Sequence, residues 1–394
     1  MSIDVSAVRA DTPACHDQAF LDNAGSALSP KVVTQTVIDH LDREQEIGGY
    51  AAMEEAEDRL FAVVASAGRL VGVSPDQIAL QPSATYAWLR AFTSIPLDAG
   101  DRILTTRAEY ASNALAMIQA ARRAQATVEF VPNGPDGSVD PTALADLLDE
   151  RVKVVAITHA ASQNGLVADA TRIGSVLRDS GSRAWYVLDA CQSVGQLRVD
   201  LASIGADFIA ATGRKFLRAP RGTGFLAVSE RVLAELEPVP IDMFGAVWDG
   251  EFGYELSPTA TRYQSFETSY AGVLGLGAAI DYALDIGVEA THARIAGLAD
   301  SLRSKLANVD GVRVLDRGTE KSGIVVFSCP GGDDWATVRA LRSKGVIVTA
   351  VTRLTNPSHV DTYESNCVLR ASPHIYNTES DLDRLISALS SLTW

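Results

Sequence analysis

Six short apolar runs constrain this chain more than any other feature: 102–106 (RILTT), 126–131 (ATVEFV), 152–158 (VKVVAIT), 184–188 (AWYVL), 208–211 (FIAA) and 224–228 (GFLAV), each bounded by turn residues. Several are apolar at successive rather than alternate positions, so both faces of such a strand need cover. Segments with helical periodicity lie between them, for instance 113–124 and 169–180. The alternation predicts an α/β fold with a mostly parallel sheet covered by helices on both sides. Past Tyr270 the pattern changes, because 272–284 and 287–309 read as two consecutive long helices. From Gly323 the chain gives strand, helix, strand, strand and a last helix, a small α+β unit. The expected division is an N-terminal segment 1–20, a large domain 21–275 and a small domain 276–394 that the N-terminal segment joins.

A chain of 394 residues is long enough for both units. Its 34 Lys and Arg against 49 Asp and Glu give a formal charge of −15, which opposes binding to a phosphate backbone, so no nucleic-acid partner is expected. No stretch approaches the ~18 apolar residues of a membrane span, and the N-terminus has no basic region followed by an apolar run. A cytoplasmic protein without a membrane partner is expected. Four cysteines (Cys15, Cys191, Cys329, Cys367) lie far apart with no CxxC pair, which argues against a disulfide framework and a structural metal site.

The most informative segment is 187–226. Two predicted strands end in polar residues, Asp189 after AWYVL and Thr212-Gly213-Arg214-Lys215 after DFIAA. In a parallel sheet ligands sit at the carboxyl ends of the strands, so an acid and a lysine converge on one crevice. Each alone is an ordinary surface or cap residue. Together they form a joint pattern: D-x-x-Q from Asp189 to Gln192, then D-x-x-x-x-T-G-x-K from Asp207 to Lys215, then G-x-G-x-L from Gly222 to Leu226.

That pattern resembles the class V aminotransferase family of pyridoxal-phosphate enzymes, best known for cysteine desulfurases and selenocysteine lyases. The resemblance runs from LDNAG at Leu21 to RASPHIYNT at Arg370. It implies a fold type I enzyme, with a mostly parallel, seven-stranded-type sheet in the large domain and a small C-terminal α+β domain. It further implies pyridoxal 5'-phosphate as cofactor, with Lys215 as the catalytic lysine that carries it as a Schiff base. A lysine beside cationic groups and away from water has a lowered pKa and attacks an aldehyde more readily. By the same resemblance Asp189 pairs with the pyridinium nitrogen and Gln192 lies by the phenolic oxygen. The phosphate falls to Ser83, Ala84 and Thr85, at the start of a helix whose free N–H groups attract anions. Thr212 and Arg214 complete that cup, with Arg214 standing where desulfurases commonly carry histidine. Tyr110, in Arg107-Ala108-Glu109-Tyr110-Ala111-Ser112-Asn113, takes the place of the aromatic ring over the pyridine face. Ser162, Gln163 and Asn164 compete for the polar position facing substrate and cofactor, and Gln163 is favoured. Thr268, in Phe266-Glu267-Thr268, matches a threonine that reaches the phosphate of the other protomer, which implies a homodimer with shared active sites. Arg370 is expected to bind the substrate α-carboxylate by a bidentate pair, and Asn23 to line the substrate entrance with Gly48 to Tyr50, Trp248 and Phe252. His374 is expected to be structural. The aromatic, glycine-rich 240–265 reads equally as a recognition loop or an ordinary packed loop.

The reaction is narrowed by what is missing. Desulfurases carry a nucleophilic cysteine on a loop upstream of the carboxylate-binding arginine, yet 351–363 (VTRLTNPSHVDTY) contains none. Arg214, Gly48-Gly49-Tyr50 and the missing cysteine resemble the branch of ergothioneine-pathway sulfoxide lyases, isopenicillin N epimerase-like proteins and lincosamide-antibiotic enzymes. A C–S β-lyase acting on a cysteine S-conjugate in thiol or antibiotic biosynthesis is the expected activity. Decarboxylation coupled to oxidative deamination, epimerisation of an amino acid, and cysteine desulfuration or selenocysteine cleavage stay open beside it.

Overall fold

The computed structural model describes residues 3–330, 334–352 and 367–392. Seven strands form the main sheet: β1 Ile78–Gln81, β2 Arg102–Thr105, β3 Thr127–Phe130, β4 Val152–Thr158, β5 Trp185–Asp189, β6 Phe208–Thr212 and β7 Gly224–Val228. Their order across the sheet is β1-β7-β6-β5-β4-β2-β3. Only β7 runs against its neighbours; the other pairings are parallel. The expected mostly parallel sheet is present, and β5, β6 and β7 are buried along their whole length.

Alternation of side chains explains why these runs are apolar throughout. Val155, Ile157, Leu188, Ile209 and Phe225 join one core, into which helices Glu57–Val71, Ala170–Asp179 and Tyr270–Ile286 pack. Val154, Ala156, Val187, Phe208 and Leu226 face a second core, covered by helices Ala84–Thr93 and Ala111–Ala124. Edge strand β3 is exposed at both ends.

Close approach of the layers depends on particular glycines. A Cβ on Gly174, in helix Ala170–Asp179, would lie 1.8 Å from the Ile204 carbonyl oxygen. Alanine normally favours a helix by up to ~1 kcal/mol over glycine, but an overpacked contact costs roughly 1–3 kcal/mol. Gly174→Ala is therefore expected to lower stability, read as a decrease in the urea midpoint at unchanged slope.

A second sheet of β8 Arg313–Val314, β9 Val325–Ser328, β10 Thr349–Thr352 and β11 Cys367–Ala371 has the order β8-β9-β11-β10 and is antiparallel throughout. Its core takes Ala19 and Leu21 from the chain start, Leu298 and Leu302 from helix Val288–Leu306, and Leu385 and Leu389 from helix Glu379–Ser390. The run 346–350, read as one strand, serves two partners: Val346–Ile347 pairs in parallel with Ala19–Phe20, while Thr349 onward pairs with β11. The two long helices meet at Gly287, whose φ of +91° lets the chain bend by 81°. Among the described residues no single helix is long and apolar enough to cross a membrane.

Candidate functional site

Strand geometry brings three turns together. Gly224 of β7 pairs with Gln81 on one side and Thr212 on the other, so the turns leaving β1 and β6 flank it. A Cβ there would meet the Ala211 carbonyl at 2.4 Å and the Ser83 backbone at 3.2 Å. Thr158 at the end of β4 pairs with Asp189 at the end of β5. The result is a cleft at the carboxyl ends of the parallel strands.

Ser83, Ala84, Thr85, Thr212 and Arg214 all line this cleft. Ser83 is the N-cap of helix Ala84–Thr93, its Oγ accepting from Tyr86 N at 3.2 Å. The earlier N–H groups of a helix have no intrahelical acceptor and are free for an anion. The Arg214 guanidinium donates to the Gly25 carbonyl, which ties this side of the cleft to the N-terminal segment.

The floor carries Asp189, Cys191, Gln192 and Lys215. Asp189 is buried; Oδ1 accepts from Cys191 N at 2.8 Å and Oδ2 from Asn113 Nδ2 at 2.7 Å. Burial raises its pKa, against which these hydrogen bonds and the nearby Lys215 charge act. Lys215 is buried too, and the Cys191 thiol lies against its amine. Tyr110, one-third exposed, and Gln163 line the remaining walls. Of the three competing polar residues, Ser162 and Gln163 reach the cleft, whereas Asn164 Oδ1 caps the backbone N–H of Leu166.

Arg370 of β11 does not itself line the cleft; it is buried beside it, with Nη2 3.2 Å from Asp22 Oδ1 and Nη1 3.3 Å from the carbonyl of the cleft residue Ser162. Two buried polar atoms here, Gln192 Oε1 and Arg370 Nε, have no hydrogen-bond partner among the described residues. An acid, an amine, an aromatic wall, a helix N-terminus and unsatisfied polar atoms in one cleft fit pyridoxal phosphate together with an amino-acid carboxylate.

Asn23, expected at the substrate entrance, is not on the cleft. Its side chain is fully buried, donates to the Ser372 carbonyl at 2.7 Å and accepts from the Tyr376 hydroxyl. It pins the chain start to the segment after Arg370. Thr268 also lies outside the cleft, exposed in a separate groove with Leu41, Tyr50, Phe266 and Tyr270. Trp248 and Phe252 are exposed on the hairpin Ala246–Trp248 and Tyr254–Leu256 and do not line the cleft. His374 is buried, stacked between Phe216 and Tyr376, and burial pushes its pKa down to about 3, which suits a structural residue. Of the cysteine-free segment 351–363, residues 353–363 fall outside the described residues.

Two residues escaped the sequence reading. Arg218 has a φ of +63° and a fully buried side chain whose guanidinium stacks 4.9 Å from the Tyr376 ring centroid. Its N–H donates to the Lys215 carbonyl at 2.8 Å, which holds the lysine turn. Glu109 is buried behind Asp189, linked to it through Asn113. Glu109 and Asn113 both stand in the 107–113 segment that carries Tyr110, where the family resemblance assigns a role to the aromatic ring alone.

The aminotransferase class-V family model matches residues 19–385. A probable cysteine desulfurase of Methanothermobacter thermautotrophicus is 29% identical over 98% of this chain and 97% of its own length. The apo cysteine desulfurase of Thermococcus onnurineus NA1 superposes with a TM-score of 0.91 at 23% identity, covering 99% and 98% of the two chains. A cystine C–S lyase solved with its reaction product cysteine persulfide gives 0.86 at 21% identity, covering 96% and 99%. The family match spans nearly the whole chain and the fold agrees, so this protein belongs to the class-V aminotransferases and is a pyridoxal-phosphate-dependent enzyme.

Proposed function

We propose that the chain is a C–S β-lyase that converts a cysteine S-conjugate and water to a thiol, pyruvate and ammonia, in thiol or natural-product biosynthesis. The observation that carries this reading is that 351–363, the segment upstream of Arg370 where desulfurases carry their nucleophile, contains no cysteine. Cys191, the one cysteine on the cleft among the described residues, sits at its floor, where burial raises the thiol pKa. A desulfurase needs a thiolate that travels to the substrate sulfur.

Bound pyridoxal phosphate supplies a sink for the electrons left at Cα. Lys215 holds its aldehyde carbon and takes the Cα proton. Asp189 would pair with the ring nitrogen and keep it protonated, Gln192 and Gln163 would lie by the phenolic oxygen, and Tyr110 would cover the ring face. Ser83, Ala84, Thr85, Thr212 and Arg214 hold the phosphate. Arg370 fixes the α-carboxylate, which orients Cα over the ring. The protein acts as a homodimer in which Thr268 completes the partner's phosphate site; its exposure in a groove with exposed Tyr50 and Phe266 supports this.

Incubation with a panel of S-substituted cysteines, with products read by mass spectrometry, tests the reading. Thiol and pyruvate in equal amounts are expected. Aldehyde with carbon dioxide, or alanine with protein-bound sulfane sulfur, would replace it by oxidative deamination or desulfuration respectively.

A further inference from the structure

Behind the cleft floor lies a second carboxylate. Glu109, in the turn between β2 and helix Ala111–Ala124, is 4% exposed. Its Oε1 accepts from Tyr110 N at 2.8 Å, Thr158 Oγ1 at 2.5 Å and Asn113 Nδ2 at 2.9 Å, and Oε2 accepts from Thr105 Oγ1 at 3.3 Å. The same Asn113 nitrogen donates to Asp189 Oδ2 at 2.7 Å. One amide group therefore spends both hydrogens on two buried carboxyl groups, each offering an oxygen that accepts. We propose that Glu109 is a positioning residue for the cofactor ring nitrogen, acting through Asn113 to hold Asp189 in line and to add negative charge beneath the ring.

Placement and charge support the assignment. Asn113 is fully buried and its one amide nitrogen donates to both carboxyl groups, so a shift of Glu109 is transmitted to Asp189. Burial, then the charge of Asp189, push the Glu109 carboxyl up to about 7, while the hydrogen bonds from Thr158, Asn113 and Tyr110 N pull the other way. Glu109 therefore gains its charge as pH rises through neutrality. Among the described residues the charged or titratable groups around the pair include Lys215 beside Asp189, the Cys191 thiol against the Lys215 amine, Tyr110 next to Glu109, Arg107 stacked 4.9 Å from the Phe130 ring, and His159 on the strand end, which burial pushes down to about 4 and so keeps neutral. When Glu109 ionises, its field reinforces that of Asp189 and raises the proton affinity of the cofactor above them.

The inference rests on the cofactor role of Asp189, so the experiment separates the two. The readout is the visible absorbance of the reconstituted holoenzyme, titrated with pH in the absence of substrate. Glu109→Gln keeps the acceptor oxygen for Asn113 and loses the charge, and is expected to lower the titration midpoint by roughly half a pH unit or more. Asn113→Ser should move it in the same direction, and Glu109→Gln should add little in that background. Midpoints equal to wild type in both variants would overturn the proposal while leaving the cofactor site standing, provided Asp189→Asn changes the spectrum. If Asp189→Asn changes neither spectrum nor cofactor affinity, both readings fall. A merely structural Glu109 would lower the melting temperature and leave the midpoint in place.

Discussion

Lys215→Ala is expected to lower turnover of any cleaved S-conjugate by roughly 10³-fold or more, the scale of a lost general base, with further loss from the missing covalent attachment. The lysine sits on the turn after β6, across the floor from Asp189, and its amine is the basic group lining the cleft that can both hold an aldehyde carbon and take a proton from a Cα above it. The turn itself is held by other atoms. Arg218 N–H donates to the Lys215 carbonyl, and Ala219 N–H to the Gly213 carbonyl, so truncating the side chain leaves the backbone anchored. The melting temperature should therefore change little while turnover collapses. Borohydride reduction followed by intact-mass measurement gives a second readout. Wild type should gain the mass of the cofactor, and the variant should not. Activity within tenfold of wild type would remove Lys215 from the reaction.

The meeting of Asp189 and Lys215 in one cleft was legible because its cause is local: each follows an apolar run, and the carboxyl ends of parallel strands gather whatever they carry. The sheet was legible for the same reason, since a run such as Val152–Thr158 has no polar face to give to water. What stayed hidden depends on contacts between distant parts of the chain. Strand β1 has four residues and continues into the cap of the next helix, so the turn residues after it dominated the reading of 81–85. The run 346–350 looked like one strand because nothing in it reveals that its first half pairs with Ala19–Phe20. Asn23 carried the right motif and the wrong inference: its amide is consumed by Ser372 and Tyr376, some 350 residues away along the chain. The pairing of Asp22 with Arg370 is hidden in the same way.

That last pair sets the second large effect. Arg370 is buried, burial lowers its proton affinity, and Asp22 works in the opposite direction. In the free enzyme Asp22 occupies one side of the guanidinium, Nη2 to Oδ1 at 3.2 Å, while Nε has no partner among the described residues. On the proposed role, a substrate carboxylate would meet an arginine with a donor still to satisfy and the charge to hold a second anion. The pair is only part-buried, with 26% of the Asp22 side chain exposed, and deleting the arginine strands the Asp22 charge where it would repel an incoming carboxylate. Arg370→Ala is expected to lower kcat/KM by roughly 10²-fold or more, chiefly through KM, and Arg370→Lys to recover only part of it because an ammonium lacks the fork. Adding Asp22→Asn to Arg370→Ala should restore some activity, since it removes the stranded charge, whereas in the wild-type background the same change should impair binding by freeing the guanidinium to move. A substrate esterified at the α-carboxyl should be nearly indifferent to Arg370→Ala. If the ester and the free acid lose activity equally, Arg370 supports the small sheet and does not select the carboxylate.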